Sequence, residues 1–524
     1  MKTKAGKVVV YGKKKQRDFA DEFARLSLSP AKKVRTPLAP LPTNVASSFE
    51  EPSAATKAPK SCHHYSIQDL PTTECNSTAP KAATRRKSPK PPEAPAAPPT
   101  PLPSLVDEAI LKYLQPLLNL NYVERQVSDF QAFANLVGLD WEKIGDGSYG
   151  DVFRLTVGSN VRIIKCIPLR PQRGTGSKSK FTPVKEAADE IAIATRMQPI
   201  EGFVDFCTAQ VVYGPYPRQC VEAWSRFKER GEECGTPDPN QPDSYIPDQL
   251  WVLMQMKDAG MALDRYCDLA ARKVSGLPTT LNMWQTFDLF WDVVKAVIRG
   301  EEIAQFEHRD LHLGNICIQH LDEITAYGPE KINLLQYGGS KELGWTSIKI
   351  TIIDYTLSRV NMDDGSVRYN PMKDPSLFNQ FREGQDIQYK VYPLMKEIVL
   401  GPARRKDETR WSKYHPKTNV LWLWHLLEKV LAATEPIPAF EEDSAPVDAP
   451  SEHVTLARMR EKSNSLHSLC ERLEPGQKIS GPPIESASHL LSYALDNGWL
   501  SPEDVVDGSE DDGILESNDG EVSV

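Results

Sequence analysis

The stretch Phe306-Glu-His-Arg-Asp-Leu-His-Leu-Gly-Asn315 is the part of the sequence that decides the fold. A second stretch, Ile352-Ile-Asp-Tyr-Thr-Leu-Ser-Arg359, places an acid directly after an apolar run. His-Arg-Asp on its own would most simply be a surface turn with an ion pair. Here Asn315 follows Asp310 in a fixed register, and an apolar strand pattern ends at Asp354. We therefore interpret the two stretches as parts of one polar site.

The first stretch matches the catalytic-loop pattern of protein kinases, H-R-D-L-x-x-x-N, at every fixed position. In that pattern Asp310 is the candidate catalytic residue that accepts the proton of an attacking hydroxyl. Asn315 and Asp354 are the candidate magnesium ligands beside the phosphates of ATP. The expected cofactors are therefore ATP and Mg²⁺.

A glycine-rich stretch, Gly145-Asp-Gly147-Ser-Tyr-Gly150-Asp-Val152, precedes these loops and has the form G-x-G-x-x-G-x-V. Dinucleotide-binding folds also use such glycines, but there a helix follows them. Here a strand pattern follows and runs to Thr156. We therefore predict a strand–loop–strand flap in which Gly145, Gly147, Gly150 and Val152 contact the nucleotide.

The lysine and acid that would hold the nucleotide phosphates come next in the chain. Lys165 lies in an alternating strand pattern at the place where a kinase has its phosphate-binding lysine. Glu190, on the following predicted helix, is the preferred partner of this lysine; the alternatives are Glu186 or neither glutamate. A later strand leads into a predicted hinge from Met256 to Gly260, whose backbone would bind adenine.

The order of these patterns predicts a bilobal protein-kinase fold of the α+β class. The N-lobe, about residues 105–258, is expected to be an antiparallel sheet plus a helix. The C-lobe, about residues 259–500, is expected to be mainly helical, with a Pro-rich acidic linker at 434–452. A stripe of apolar residues at three- and four-residue spacing predicts one long core helix from Asn282 to about Ala304.

Charge is divided unevenly along the chain. Residues 1–104 carry 18 Lys/Arg and 8 Asp/Glu, a net charge of +10, which leaves −19 for residues 105–524. The basic segment is rich in Pro, Ala, Ser and Lys and is expected to be disordered. Its clusters indicate nuclear import, weak DNA contact or merely solubilising charge. Residues 501–524 are predicted to be a disordered acidic tail.

Cysteine usage and hydropathy indicate the cellular compartment. The nine cysteines are scattered without a Cys-x-x-Cys pair, which argues against a disulfide framework and a zinc site. No stretch approaches the roughly 20 apolar residues of a membrane span, and we find no signal-peptide pattern. The expectation is a soluble intracellular protein without a membrane partner.

Departures from ordinary kinases point to a narrower family. Tyr355-Thr356 replaces Phe-Gly, His312 replaces a lysine, and no Ala-Pro-Glu follows. Together with the run Trp411-Ser-Lys-Tyr-His-Pro-Lys-Thr-Asn-Val-Leu-Trp422, these features resemble haspin, an atypical protein kinase, over about residues 105–500. The resemblance implies a nuclear serine/threonine kinase that is active without activation-segment phosphorylation and has a monomeric catalytic domain.

The resemblance also implies a substrate. It suggests a threonine near the start of the histone H-three tail, modified on mitotic chromosomes to support chromosome segregation. Asp264, Glu383 and Asp386 fall where acids would hold basic residues of such a peptide. Ala262 and Lys390 stand where the family has acids, so a substrate contact and the anchoring of the catalytic loop are expected to differ. The alternative function is a chromatin-binding pseudokinase or adaptor that acts through the basic tail.

Overall fold

The computed structural model describes a defined set of ranges between Asp107 and Val505. They are 107–137, 140–147, 150–157, 160–171, 181–229, 241–271, 281–320, 342–346, 348–382, 386–401, 407–437, 450–477 and 481–505. All of them belong to one unit, residues 96–505. The predicted basic tail, residues 1–104, lies outside the described residues.

A six-stranded sheet forms the N-lobe. Its strands are β1 (Ser128–Asp129), β2 (Asp140–Gly147), β3 (Gly150–Val157), β4 (Asn160–Pro168), β5 (Phe206–Tyr213) and β6 (Leu250–Lys257). The strand order is β1-β5-β6-β4-β3-β2, and every pairing is antiparallel except that of β1 with β5. Four helices accompany the sheet: α1 (Glu108–Leu118), α2 (Phe130–Val137), α3 (Val184–Met197) and α4 (Arg218–Glu229).

Aromatic side chains fill one face of this sheet. The largest members of the buried cluster are Phe130, Phe133, Trp141, Phe153, Tyr216 and Trp251. Aromatic rings bring a large apolar area out of water, which is the main source of stability for such a layer. The packing holds β2 and β3 as a fixed base for the glycine-rich turn that joins them.

The C-lobe is mainly helical. Its helices are α5 (Leu263–Ala271), α6 (Met283–Ala304), α7 (Gln388–Leu400), α8 (Lys417–Ala432), α9 (Pro450–Leu473) and α10 (Ala487–Asp496). The predicted long core helix is α6, which starts at a capping box between Asn282 and Gln285. The capping box satisfies backbone N–H groups that the first helical turn leaves without partners.

Two small sheets lie in the C-lobe. One contains β7 (Met261–Ala262), β8 (Ile316–His320) and β9 (Ile348–Ile352), and the other pairs β10 (Arg359–Asn361) with β11 (Val367–Tyr369). Short 3-10 helices occur at Pro242–Ser244, Leu313–Asn315, Pro375–Phe378, Glu408–Ser412 and Pro502–Asp504. The antiparallel-rich N-lobe and helical C-lobe confirm the predicted bilobal α+β class.

Two predicted boundaries need correction. Helix α9 begins at Pro450, inside the predicted linker 434–452. Residues 501–505, assigned from their acidity to a disordered tail, are folded. The reason is Asp504, a buried side chain whose carboxylate accepts backbone N–H bonds from Glu342 and Leu343 at 2.9 Å each. The remaining tail, 506–524, lies outside the described residues.

Membrane-spanning helices are not found in the part of the chain that the structure describes. None of its helices combines the length and apolar character that a bilayer crossing requires.

Candidate active site

Lys165 lies at the centre of the candidate site. Strand β4 runs between β3 and β6 and buries the lysine to 5% exposure. Its Nζ donates hydrogen bonds to Glu190 Oε1 at 2.7 Å and to Asp354 Oδ2 at 2.9 Å. Burial disfavours the Lys165 ammonium, but these two carboxylates outweigh it and raise the lysine pKa. The lysine therefore stays charged and connects three elements of both lobes.

Thr356 completes this group, and sequence reasoning missed it. Its Oγ1 lies 2.6 Å from Asp354 Oδ1 and 3.1 Å from Glu190 Oε2, and it accepts a bond from Lys165 Nζ at 3.2 Å. A glycine, as in the usual Phe-Gly pair, could make none of these bonds. The departure at Thr356 was visible in the sequence, but its contacts to two distant residues were not.

Asp354 is held as an anion. Burial opposes ionisation, but Lys165 and the bonds from Thr356 hold the pKa of Asp354 below its usual range. The residue adopts φ 60°, a left-handed conformation that Asp tolerates better than most residues. Such backbone strain concentrates at functional sites.

Asn315 is brought beside Asp354 by the pairing of two strands. Ile316 of β8 pairs with Ile352 of β9, and Ile353 N donates to Asn315 O at 3.0 Å. The Asn315 side chain uses Nδ2 to donate to Asp310 O at 2.8 Å. Its other polar atom, Oδ1, is an oxygen of the kind that Mg²⁺ prefers.

Asp310 is bound by a tyrosine that sequence reasoning did not connect with it. Tyr392 of α7 donates its hydroxyl to Asp310 Oδ1 at 2.5 Å. His312 Nδ1 accepts from Gly314 N at 3.0 Å, and its Nε2 lies 4.0 Å from Asp310 Oδ2. Burial raises the pKa of Asp310 to about 6, although His312 and Tyr392 act in the opposite direction.

The backbone around Asp310 is fixed from beneath by α8. Asn419 is fully buried; its Oδ1 accepts from His308 N at 3.0 Å and its Nδ2 donates to Phe306 O at 2.8 Å. Glu307, also fully buried, accepts two bonds from Arg309 at 3.1 Å and one from Thr418 at 2.8 Å. The catalytic loop is thus hydrogen-bonded to the stretch Trp411–Trp422, which is part of the resemblance to haspin.

The β10–β11 hairpin holds the helix that carries Glu190. Arg368 of β11 donates to Asp189 Oδ1 of α3 at 2.7 Å. Asp189 directly precedes Glu190, so the hairpin and Lys165 fix adjacent residues of one helix. The segment after Asp354 therefore supports the Lys165–Glu190 pair through contacts between side chains.

The two strands predicted for the glycine flap are present as β2 and β3. Gly147 pairs with Gly150 across the turn, Gly145 pairs with Val152, and Val152 pairs with Lys165 on the next strand. At Gly150, φ is 153° and an added Cβ would lie 2.2 Å from the carbonyl oxygen of Cys166. A side chain at that position would force the flap away from β4.

Only part of the predicted hinge lies in the connection between the lobes. Met256 is inside β6, where it pairs with Ile163 and Phe206. Gly260 lies after the strand with φ 92°, and an added Cβ there would be 2.3 Å from Ile318 O. The close approach to β8 explains why the chain needs a glycine at this position.

The three predicted substrate-binding acids differ in their surroundings. Asp264 lies in the first turn of α5 and points toward Gly314, where an added Cβ would lie 2.9 Å from Asp264 Oδ2. Asp386 accepts from Lys429 Nζ at 2.7 Å and from Gln388 N at 2.9 Å, so it already has a basic partner. Glu383 lies outside the described residues. Their role in substrate binding stays a prediction.

These residues fit a magnesium nucleotide. Mg²⁺ in phosphoryl-transfer sites is held mainly by substrate phosphates plus one or two protein oxygens. Asp354 as an anion and Asn315 Oδ1 supply such oxygens, and Lys165 supplies a cation for phosphate. Within the described ranges no group of three or more His, Cys, Asp or Glu could hold a metal ion alone. A site of this composition needs the nucleotide to complete it.

Comparison with known proteins places this site in a family. The family model for the haspin-like kinase domain matches residues 107–466. The chain is 28% identical to the serine/threonine-protein kinase haspin homolog hrk1 of Schizosaccharomyces pombe, over 61% of each chain. It is 30% identical to the haspin homolog of Drosophila melanogaster, over 56% of this chain and 48% of the relative.

A third relative, the serine/threonine-protein kinase haspin of Bos taurus, is 27% identical over 55% of this chain and 34% of its own. The matched region thus spans between about a third and three fifths of the length of these relatives. The matched model covers well over half of this chain and includes every element that builds the site. The chain therefore belongs to the haspin kinase family.

Proposed function

We propose that this protein is an ATP- and Mg²⁺-dependent serine/threonine protein kinase whose substrate is a basic peptide. The proposed target is a threonine near the start of the histone H-three tail, phosphorylated in the nucleus on mitotic chromosomes. The main support is one observation: Lys165 Nζ binds both Glu190 and Asp354 within 2.9 Å, and Lys165 pairs with Val152 of the glycine flap. A pseudokinase does not need this group together with Asp310 and Asn315, because it transfers no phosphoryl group.

The proposed mechanism rests on positioning and charge. Magnesium ATP, when bound, supplies the phosphoryl group to be transferred and neutralises its charge. Lys165, held by Glu190 and Thr356, is a fixed cation for phosphate oxygens. Asp310 is oriented by the Tyr392 hydroxyl, so one carboxylate oxygen can accept the proton of the substrate hydroxyl. Fixed groups of this kind need no reorganisation during the reaction.

A basic substrate is supported by the charge of the folded body. Residues 105–505, which contain the folded body, carry a net charge of −12. Asp264 lies beside the catalytic loop. Asp386 lies two residues before α7, the helix that carries Tyr392. Converging acids set the orientation of a basic peptide and speed its encounter more than they raise affinity.

A peptide-array assay with the purified full chain and ATP tests this function. Turnover is expected on peptides that carry a threonine next to arginine or lysine, and it should be strongest on the histone H-three start. Asp310→Asn should reduce turnover by about 10²–10⁴-fold, because proton acceptance is lost. Asp364→Asn, at an exposed turn, is the matched control and should stay active. Equal activity of Asp310→Asn and wild type would refute the assignment.

A second function, an adaptor that holds chromatin through the basic tail, is supported by the +10 charge of residues 1–104. Phosphate contacts by lysine and arginine give salt-sensitive, sequence-independent binding. Deleting residues 1–104 separates the two functions. A kinase keeps its turnover on free peptide after this deletion, whereas an adaptor loses chromosome binding and has no turnover to keep.

A further inference from the structure

The support of the catalytic loop continues beyond Asn419 into the last helix of the described chain. The Asn419 amide that holds Phe306 O also donates to Glu301 Oε1 of α6 at 2.9 Å. Glu301 is 6% exposed. Its carboxylate in turn accepts from the backbone N–H of Ala487 at 3.2 Å to Oε2 and 3.4 Å to Oε1. Three helices therefore meet at one buried carboxylate, and the Asn419 amide links them to the catalytic loop at Phe306.

Ala487 is the first residue of α10, and it lies outside the part of the chain that the family model matches, residues 107–466. Its side chain is fully buried, and Ser486 caps the helix by accepting from His489 N at 3.2 Å. A second link nearby joins Lys417, at the start of α8, to Glu485 at 2.8 Å. The start of α10 is therefore fixed against the two helices that carry Glu301 and Asn419.

A buried carboxylate without partners would be strongly unfavourable. Glu301 has two neighbouring acids, and burial together with Glu307 and Glu302 raises its pKa to about 8, although the bonds from Asn419 and Ala487 act in the opposite direction. Losing the Ala487 N–H would leave Glu301 with one donor fewer. The Asn419 amide would then have to readjust, and this same amide holds Phe306 O.

We propose that the start of α10 positions the catalytic loop through Glu301 and Asn419, so that residues beyond the matched family domain are needed for full turnover. Ala487 and Glu301 are positioning residues in this proposal, since neither lies at the reacting atoms. The acid expected in α7 is absent, because Lys390 stands there, and Asn419 of α8 ties the loop instead. We call this series of hydrogen bonds, from Ala487 through Glu301 and Asn419 to the catalytic loop, the relay. It makes the rate of phosphoryl transfer depend on α10, a helix that does not contact Asp310.

The sharpest test replaces the Ala487 N–H by the Cδ of a proline ring, which cannot donate a hydrogen bond. Ala487→Pro deletes the N–H that binds Glu301, and proline is well tolerated at the first position of a helix. Ser486 is already extended, with φ −152° and ψ 167°, as a residue before proline requires. Ala487→Gly is the matched control, because it keeps the N–H and loses only a methyl group.

Two measurements on the full-length protein separate positioning from general destabilisation. We expect the single-turnover rate of Ala487→Pro to fall about two- to thirtyfold below that of Ala487→Gly, the range seen when a contact within such a network is cut. The KM for ATP should be the same in both, because the flap and Lys165 are untouched. Equal rates, or a loss confined to the KM for ATP, would overturn the proposal.

Hydrogen exchange provides a readout that needs no substrate. The His308 amide is bound to Asn419 Oδ1, so amides of the catalytic loop should exchange faster in Ala487→Pro than in Ala487→Gly. Amides of β4 should exchange equally in the two variants. Unchanged exchange in the catalytic loop would contradict the relay even if the peptide substrate proposed above were wrong.

Asn419→Ala tests the other end of the relay. Misplacing a catalytic group by about 1 Å can reduce the rate about 10²-fold, and we expect a loss of that size. The control is Thr286→Val, which removes a fully buried hydroxyl of α6 that binds Thr434 and no part of the loop. Thr286→Val should lower thermal stability and leave turnover unchanged. Equal losses of turnover in both variants would count against positioning.

Discussion

In the proposed kinase, the ionisation of Asp310 predicts how the rate depends on pH. Burial raises its pKa to about 6, and the hydrogen bond from Tyr392 works in the opposite direction. Only the ionised carboxylate can accept the substrate proton, so kcat/KM for the peptide should decline in proportion to acidity below about pH 6. Tyr392→Phe removes the bond that favours the ionised form, and the midpoint should therefore move to higher pH. The measurement is a pH–rate profile of both proteins.

The control for this prediction is Tyr389→Phe, the same chemical change one turn earlier on the same helix. It should leave the acid limb of the profile where it is in the wild type. An acid limb that does not move in Tyr392→Phe would mean that the hydroxyl does not act on the proton affinity of Asp310.

At the scale of elements, the sequence predicted those parts of the fold that have a local signal. The glycine spacing and the following alternation predicted the β2–β3 flap, and the apolar stripe predicted α6 from Asn282 to about Ala304. The order of elements identified Lys165, and the inward spacing around Ile191 favoured Glu190 over Glu186 as its partner. Local patterns of this kind repeat every two or every 3.6 residues and can be read without tertiary information.

The contacts of Thr356, Tyr392 and Asn419 could not be predicted in the same way. Each is a polar side chain whose partner lies far away in sequence, and no periodicity connects the two. Asp504 shows the same limitation at a domain boundary. The acidic composition of its segment indicates disorder, but the backbone N–H groups of residues 342 and 343 bind its carboxylate and hold the segment in place. Composition predicts solvation, but it does not reveal a specific buried partner.

The segment that follows Asp354 should work without phosphate. Activation loops usually become ordered when a phosphate pairs with arginines. Arg309 is fully buried here, bound to Glu307 and to Trp411 O at 2.8 Å, and it is not exposed to receive a phosphate. Arg368 supplies the link to α3 from within the β10–β11 hairpin. Phosphatase-treated protein is therefore expected to keep its turnover, measured beside a mock-treated sample.

A decrease of about tenfold or more after this treatment, equivalent to about 1.4 kcal/mol in the barrier, would contradict that expectation. Arg368→Ala gives a complementary result. It should lower turnover with and without phosphatase treatment alike, because the link that it removes does not involve phosphate.

For the whole molecule, the folded body should end after Asp504 and not at residue 500. Asp504 accepts bonds from Glu342 and Leu343, and Lys462 binds the carbonyl oxygen of Glu342 at 2.7 Å. Hydrogen bonds to a charged group contribute about 1.5–3 kcal/mol each. Deleting residues 501–524 should therefore lower the Tm by about 4–10 °C. Deleting residues 506–524 keeps Asp504 and should change the Tm little; equal Tm values for the two truncations would show this boundary to be wrong.

The uneven charge of the chain leads to a prediction about peptide binding. If the acidic body attracts a basic peptide, the KM for that peptide should rise with salt. The Debye length shrinks from about 10 Å at 0.1 M to about 3 Å at 1 M, so exposed charges stop acting at a distance. A neutral peptide with the same threonine is the control and should show a flat response. Similar salt responses for both peptides would exclude charge as the basis of selection.

Substitutions at Asp386 can show whether this attraction acts at the peptide-binding site or over the whole surface of the protein. In the structure its carboxylate is shared between Gln388 N and Lys429 Nζ, and its side chain is 45% exposed. A basic residue of a peptide would have to compete with Lys429 for it. Lys429→Met removes the competitor and should lower the KM for the basic peptide by up to about fivefold, since an exposed ion pair contributes at most about 1 kcal/mol. Asp386→Ala should raise that KM and leave the KM for ATP unchanged. If Asp386 only supports α7 and α8, both substitutions will lower the Tm and neither will change the KM for the peptide.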